Sequence, residues 1–235
     1  MALYITGDTH GRFDRVYALQ DKVGLYEGDV LIILGDVGIN YYGNKKDYNL
    51  KKELSKLPIE LFCIKGNHEN YAGNIKSYKL VDYKGGKAWI EKEFPNLVFA
   101  KDGEIYEFEV NGEKRTAIVI GGAYSVDKYY RLAYGMRWFK DEQPSEETKR
   151  FVEEQLEKVN WEVDYVLSHT APLRYQPREW FLPMIDQDTV DTSTEEWLDE
   201  IYTKIKCRKW YCGHYHGEKV IDNMVFMYES INLLR

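Results

Sequence analysis

All five histidines of this 235-residue chain lie in short polar segments that directly follow apolar runs. Two aspartates and an asparagine lie in the same segments. Without His68, the potential metal ligands number seven: Asp8, His10, Asp36, Asn67, His169, His214 and His216. Mixed imidazole and carboxylate ligands suit Zn, Fe, Mn or Ni better than Mg or Ca. The set is too large for one ion and fits two ions that share a bridging carboxylate. Two ions about 3.5–4 Å apart can promote in-line displacement at phosphorus.

The apolar runs that precede these residues predict the strands that position them. The runs are short and continuous, which is typical of strands buried on both faces, and they cover residues 3–5, 30–34, 59–64, 165–167 and 210–212. Ligands of open α/β sheets bind beyond the carboxyl ends of the strands. We therefore expect the histidines and carboxylates to converge at one sheet edge.

Helical patterns and turn signals complete an α/β fold. Residues 45–57 predict a helix, Ser145 predicts a helix cap, and Ser193 with Glu196 predicts a capping box. Two hairpins are expected, and they turn at residues 111–112 and 222–223. The resulting order predicts mixed β-sheets covered by helices, in a single domain over residues 1–235.

Composition limits the function classes. A hydrophobic fraction of 44% excludes a disordered chain, and a net charge of −7 disfavours a nucleic-acid partner. No apolar run reaches the roughly 20 residues of a membrane span, and residues 1–6 do not resemble a signal peptide. Three cysteines without a C-x-x-C pair favour a reducing compartment. We therefore expect a cytoplasmic protein that does not contact membranes.

The motifs together resemble the calcineurin-like metallophosphoesterases. The resemblance rests on Asp8-x-His10, Gly35-Asp36, Gly66-Asn67-His68-Glu69, His169 and Gly213-His214-x-His216, in the order of that family. It implies a four-layer α/β/β/α sandwich of two mixed sheets with a binuclear metal centre. Asp8, His10 and His216 would hold the first ion, Asn67, His169 and His214 would hold the second, and Asp36 would bridge them.

The resemblance also gives His68 and Asp36 catalytic roles. His68 would contact the phosphate and protonate the leaving oxygen, a task that suits an imidazolium near neutral pH. One departure concerns the second motif, which reads Gly-Asp-x-x-Asp-Arg in the Ser/Thr protein phosphatases of this superfamily. Ile39 and Asn40 occupy the last two positions here, so the partner of His68 and the cation for the phosphate stay open.

Each motif also has a structural interpretation. Asp8 alone could cap the helix expected near Phe13, and His169 alone could be a hydrogen-bonded core residue. The aromatic loops 121–144 and 170–192 could form a substrate wall or simply pack on the domain. Substrate-binding candidates, beside Asn67, are Arg12, Tyr124, Arg131 and Arg137, and the arginines could equally be solvated.

The leading hypothesis is a metal-dependent phosphoesterase that hydrolyses a small phosphomonoester or phosphodiester. A hydroxide held between the two ions would attack in line while His68 assists the leaving group. We expect manganese first, with Fe, Ni or Zn also compatible with these ligands. The alternatives are a non-catalytic protein-binding scaffold on the same fold and a nuclease of the same superfamily. The substrate and the oligomeric state stay open.

Overall fold

A computed structural model describes residues 2–234. The strands are, in chain order, β1 (Leu3–Thr6), β2 (Val30–Ile33), β3 (Glu60–Cys63), β4 (Tyr78–Tyr83), β5 (Gly86–Glu91), β6 (Phe94–Ala100), β7 (Ile105–Val110), β8 (Glu113–Ile120), β9 (Tyr165–Ser168), β10 (Lys209–Cys212), β11 (Lys219–Ile221), β12 (Met224–Phe226) and β13 (Asn232–Leu233). The α-helices are α1 (Asp14–Val23), α2 (Lys45–Leu54), α3 (Lys128–Ala133), α4 (Glu146–Lys158) and α5 (Ser193–Lys204). The longest of these helices has 13 residues, and no helix over residues 2–234 is long and apolar enough to cross a bilayer.

The strands form two mixed sheets. The first has the order β13-β1-β2-β3-β6-β5-β4, and the second has the order β11-β12-β10-β9-β8-β7. Strands β1, β2 and β3 are parallel in the first sheet, and β8, β9, β10 and β12 are parallel in the second. Antiparallel strands lie at the edges. The parallel strands at the centre of each sheet therefore send their carboxyl ends in one direction.

Three apolar clusters define four layers. The cluster between the sheets contains Phe62, Tyr106 and Leu167, and the rings of Phe62 and Tyr106 meet edge to face with centroids 4.9 Å apart. A second cluster packs α1 and α2 against the first sheet, and a third packs α4 and α5 against the second sheet. Both faces of the central strands are thus buried, which explains their continuous apolar runs. The predicted α/β/β/α sandwich is confirmed.

Several local predictions also hold. The turns at residues 111–112 and 222–223 join antiparallel pairs, β7 with β8 and β11 with β12. The hydroxyl oxygen of Ser145 accepts a hydrogen bond from the backbone N–H of Thr148 and caps α4. Helix α2 ends at Leu54 rather than at residue 57, although Leu57 is still buried.

Two parts of the sequence prediction were wrong or incomplete. Ser193 does not cap α5, because the Asp191 carboxylate accepts the Ser193 N–H and the helix already includes Ser193. Thr192 is the capping position, and its hydroxyl donates to the Glu196 carboxylate. The meander β4-β5-β6 was not recognised. Only three residues of β4 and β5 are buried, so this segment lacks the apolar runs of the central strands.

The two serines allow a matched test of capping. Ser145→Ala should lower the free energy of unfolding by about 1 kcal/mol, because one N–H at the start of α4 loses its acceptor. Ser193→Ala should change it by less than about 0.5 kcal/mol, since the Ser193 side chain caps no N–H. Urea unfolding followed by circular dichroism measures both values. Equal losses would contradict this assignment of the caps.

Candidate metal centre

The first group of ligand atoms joins the ends of β1 and β10. Nε2 of His10 lies 2.9 Å from Nε2 of His216, and Oδ2 of Asp8 lies 3.3 Å from His216 Nε2 and 3.7 Å from His10 Nε2. Oδ2 of Asp8 is buried and has no hydrogen-bond donor among residues 2–234. Two imidazole nitrogens and an unpartnered carboxylate oxygen around one point are typical of a cation site.

The second group joins the ends of β2, β3 and β9. Nε2 of His169 lies 2.8 Å from the amide oxygen of Asn67 and 3.7 Å from Oδ1 of Asp36. The other oxygen of Asp36, Oδ2, lies 3.9 Å from His10 Nε2. Asp36 therefore faces one histidine of each group, which is the placement that a bridging carboxylate requires. The ligand atoms of Asp8, Asp36 and His169 also lie within 4.8 Å of one another.

His214 lies beside the second group rather than inside it. Its ring centroid is 5.0 Å from that of His169, and its backbone N–H donates to Oδ1 of Asp8. Burial lowers the pKa of His214 to about 3, so the ring stays neutral at neutral pH. A neutral imidazole keeps the lone pair that a metal ligand needs. The structure thus brings all seven predicted ligands to the same end of the two sheets.

Charge interactions keep the two aspartates ionised. Burial alone would raise the pKa of Asp8, but the nearby His216, His169 and His10 lower it below its usual range. Burial likewise opposes ionisation of Asp36, and the charges of His169 and His68 lower its pKa. Asp8 does not cap α1, because its Oδ1 accepts the His214 N–H and no side chain caps that helix.

The backbone at the strand ends is shaped for close approach. Asp36 has a φ of 46°, and its carbonyl accepts the His10 N–H at 2.7 Å. A Cβ atom on Gly35 would lie 2.1 Å from Nδ1 of His169, and one on Gly66 would lie 2.0 Å from Oδ1 of Asp36. Only glycine fits these two positions, because a Cβ at either would displace a ligand.

Further residues orient the ligands without being ligands. Nδ1 of His169 lies 2.7 Å from the carbonyl of Leu34, which leaves Nε2 to face Asn67 and Asp36. Oε1 of Glu69 accepts the backbone N–H groups of Gly66 and Val37, and thereby joins the turns after β2 and β3. Burial and the Asp36 charge raise the pKa of Glu69 to about 8.

Arg15 supports the opposite side of the centre. Its guanidinium donates to the carbonyls of Gly7, Asp8 and Tyr228 and so fixes the turn after β1. Arg15 was not among the predicted site residues, and Glu69 had no predicted role. The Gly-Asn-His-Glu motif was a signal for Glu69. Arg15 had no local signal, because one of the carbonyls that it binds, that of Tyr228, belongs to a distant part of the chain.

The His68 ring lies beside the first group, with its centroid 5.9 Å from that of His10, and its backbone N–H donates to Oδ1 of Asp36. Nε2 of His68 lies 3.4 Å from Nη2 of Arg131 and 3.2 Å from the Asn67 amide nitrogen. Ile39 packs in the core under the first sheet, and the Asn40 amide donates to the hydroxyl of Tyr78. Neither therefore reaches His68. Segment 121–144, expected as a loop, contains α3, and Arg131 of this helix brings a guanidinium to His68.

The other substrate-binding candidates lie at different distances from the centre. Tyr124 is buried and lines the same cleft as Asp36 and His68. Arg137 is exposed and donates to the carbonyl of Tyr41, beside rather than over the metal ligands. Arg12 is exposed on the turn before α1.

Two clefts open on the centre and share His68. The Arg131 cleft has a volume of about 380 Å³ and is lined by polar and aromatic side chains that include His10, Tyr41, Lys46 and Arg131. The Trp180 cleft has a volume of about 510 Å³ and extends from Asp36, Asn67 and His214 to the loop at residues 176–190. The centre therefore has a basic side and an apolar side.

The chain belongs to the calcineurin-like phosphoesterase family, whose sequence model matches residues 1–229. This makes it, in general terms, a metal-dependent phosphoester hydrolase, and the family implies two divalent ions. Two solved structures share the fold at a TM-score of 0.50. One is 14% identical and covers 96% of this chain and 88% of its own. The other, TT1561 of Thermus thermophilus, is 12% identical with coverages of 96% and 87%. A comparison with curated proteins finds no significant match.

The glycine at the end of β2 allows a matched test of the centre. Gly35 (φ +94°) and Gly28 (φ +93°) have the same left-handed backbone, but nothing lies within 4 Å of a Cβ on Gly28. Alanine should strain both backbones alike. Only Gly35→Ala should also displace His169, and we expect it to weaken Mn²⁺ binding about 10–100-fold in isothermal titration calorimetry. Equal Mn²⁺ affinities of the two variants would refute the placement of His169.

Proposed function

We propose that this chain hydrolyses a small phosphomonoester or phosphodiester with two divalent ions bound at the strand ends. The observation that carries the proposal is Asp36, whose two carboxylate oxygens face His10 on one side and His169 on the other. A single carboxylate between two histidine-containing groups is the arrangement that two neighbouring cations need.

The residues fit two ions. Asp8, His10 and His216 would hold the first ion, and the buried, unpartnered Oδ2 of Asp8 supports this assignment. Asn67, His169 and His214 would hold the second, with Asp36 shared. Imidazole, carboxylate and amide ligands accept Mn, Fe, Ni or Zn, and manganese stays our first expectation. When bound, the ions supply Lewis-acid activation of the phosphoester and of water.

Other groups of the chain hold the metal ligands in place and would bind the substrate. His169 and Asp36 are held by the carbonyl of Leu34 and the backbone N–H of His68, so they need little reorganisation. His68 lies where the two clefts meet and would assist the leaving oxygen there. Burial and the charge of Arg131 lower the pKa of its imidazole, so the negative charge of a bound phosphate would be needed to hold the proton on the ring. Arg131 would bind a phosphate oxygen there. Its pair with Asp127, at 2.7 Å, orients the guanidinium.

The proposal extends to the kind of substrate and to the cellular location of the protein. We infer a small phosphorylated substrate rather than nucleic acid, which the net charge of −7 and the mixed lining of the Arg131 cleft support. We also infer a cytoplasmic location, which the free cysteines Cys63, Cys207 and Cys212 support.

The proposal is tested with two chromogenic substrates. Mn²⁺-loaded protein should hydrolyse 4-nitrophenyl phosphate or bis(4-nitrophenyl) phosphate, and the ratio of kcat/KM values assigns monoester or diester preference. Asp36→Asn should lower kcat/KM at least about 100-fold and lower the bound metal, because the shared charge is lost. Asp29→Asn is the control, since Asp29 is also a buried carboxylate that accepts two backbone N–H groups. Metal-loaded wild type without hydrolysis of either ester would refute the proposal.

Arg131 and Arg137 separate the two arginine candidates. Arg131→Gln should lower kcat/KM about 10–100-fold, the effect of losing one charge-assisted hydrogen bond to phosphate. Arg137→Gln should lower it less than about 3-fold, because its guanidinium binds the Tyr41 carbonyl instead. Bound metal, measured by mass spectrometry, should be unchanged in both variants. Equal losses of activity would remove Arg131 from phosphate binding.

A further inference from the structure

The second cleft beside the metal centre differs in chemistry from the first. The inner end of the Trp180 cleft contains Asp36, Asn67 and His68, and its outer part is formed by the loops after β8 and β9. Apolar side chains dominate the outer part, and they are Tyr124, Val126, Trp180, Phe181, Leu182, Ile185 and Val190. A concave apolar site with a few polar groups is typical of a small-molecule pocket.

Few charged side chains line the outer part of this cleft. Apart from the metal-centre residues, its ionisable side chains include Asp127 and Glu195, and no Lys or Arg among residues 2–234 lines it. Oε1 of Glu195 accepts from the hydroxyl of Thr170, so this carboxyl is fixed near the floor of the cleft. Asp127 is paired with Arg131, and burial raises the pKa of Glu195 to about 7, so neither is a free negative charge at neutral pH. A second phosphate or a carboxylate on the substrate would lose water here without gaining a Lys or Arg from the described lining residues.

The wall of the cleft is preorganised. The Trp180 ring meets Phe226 edge to face at 5.9 Å, and Nζ of Lys219 lies 4.8 Å from the ring centroid. Gly217 lies against the same ring, since a Cβ there would be 2.6 Å from it. A rigid aromatic wall binds a planar group with little loss of side-chain entropy.

We propose that the leaving group of the substrate is an uncharged, apolar, planar group that binds in the Trp180 cleft. This inference rests on the proposed function, and it assigns the two ends of the substrate to the two clefts. The phosphate lies at His68 with Arg131 on one side, and the apolar group extends past Tyr124 toward Trp180 and Leu182. A second anionic group in this part of the substrate is disfavoured, because it would be desolvated without a Lys or Arg among the described lining residues.

Three aryl esters of similar phenol acidity test the proposal. They are the phosphates of 4-phenylphenol, of phenol and of 4-(carboxymethyl)phenol, used as monoesters or methyl diesters according to which form is hydrolysed. We expect kcat/KM for the biphenyl ester to exceed that of the phenyl ester about 10–100-fold, because a second ring is buried. The carboxymethyl ester should be poorer than the phenyl ester. Equal values for the three esters would overturn the proposal.

A variant at the outer part of the cleft provides the specificity control. Leu182→Lys places a cation in the lining, and we expect it to shift the preference for the biphenyl over the carboxymethyl ester at least about 10-fold toward the anion. Met184→Lys is the matched control, since Met184 is 81% exposed on the same loop and does not line the cleft. A similar shift in both variants would show a general charge effect and overturn the assignment.

Binding of the alcohol alone separates this inference from the proposed function. Biphenyl-4-ol should bind wild type more tightly than phenol in isothermal titration calorimetry, and Leu182→Lys should weaken it about 10-fold. If no ester is hydrolysed but biphenyl-4-ol binds in this way, the proposed function fails and the apolar site stands. If esters are hydrolysed without discrimination and biphenyl-4-ol does not bind, only the apolar site fails.

Discussion

Two ionised carboxylates, Asp8 and Asp36, lie buried close together, and this pair governs the rest of the structure. Their negative charges oppose each other, and their removal from water is unfavourable. The surrounding histidines and backbone N–H groups offset part of this cost, but Oδ2 of Asp8 has no donor among the described residues. The remaining charge is what a divalent cation neutralises. The buried aspartates thus explain both the metal requirement and the closeness of the histidines.

Bringing the candidate metal ligands so close together restricts the backbone that carries them. His10, Asp36, His214 and His216 all have positive φ values, which are uncommon for residues other than glycine. Such conformations are unfavourable and persist only where the surrounding structure fixes them. Here the turns are fixed by hydrogen bonds between neighbouring loops and by Arg15, which binds three carbonyls. The strain belongs to the turns that carry the ligands, while the strands below them are regular and fully packed.

The regular strands could be predicted from the sequence, whereas the contacts between distant loops could not. The central strands and the placement of the candidate ligands at their ends could be predicted, because a buried strand needs a continuous apolar run and these residues come directly after it. Helix α5 was placed one residue wrongly at its start, since the Asp191 carboxylate takes the N–H that a capping box would use. The contact of Arg131 with His68 and the role of Arg15 depend on how distant loops fold back. No local pattern encodes such contacts, so only the structure could place them.

The candidate metal ligands are divided between the two sheets. The first sheet carries Asp8, His10, Asp36 and Asn67, and the second carries His169, His214 and His216, so the centre exists only when the sheets pack on each other. The apolar cluster between the sheets therefore holds the two halves of the metal centre against each other. Segments after β8 and β9 supply Arg131, in α3, and Trp180 to the clefts, and Trp180 also packs on Phe226 of β12. Changes near Arg131 and Trp180 can alter substrate preference while the candidate ligands stay in place, so a metal centre common to the family is compatible with the leaving-group site proposed above.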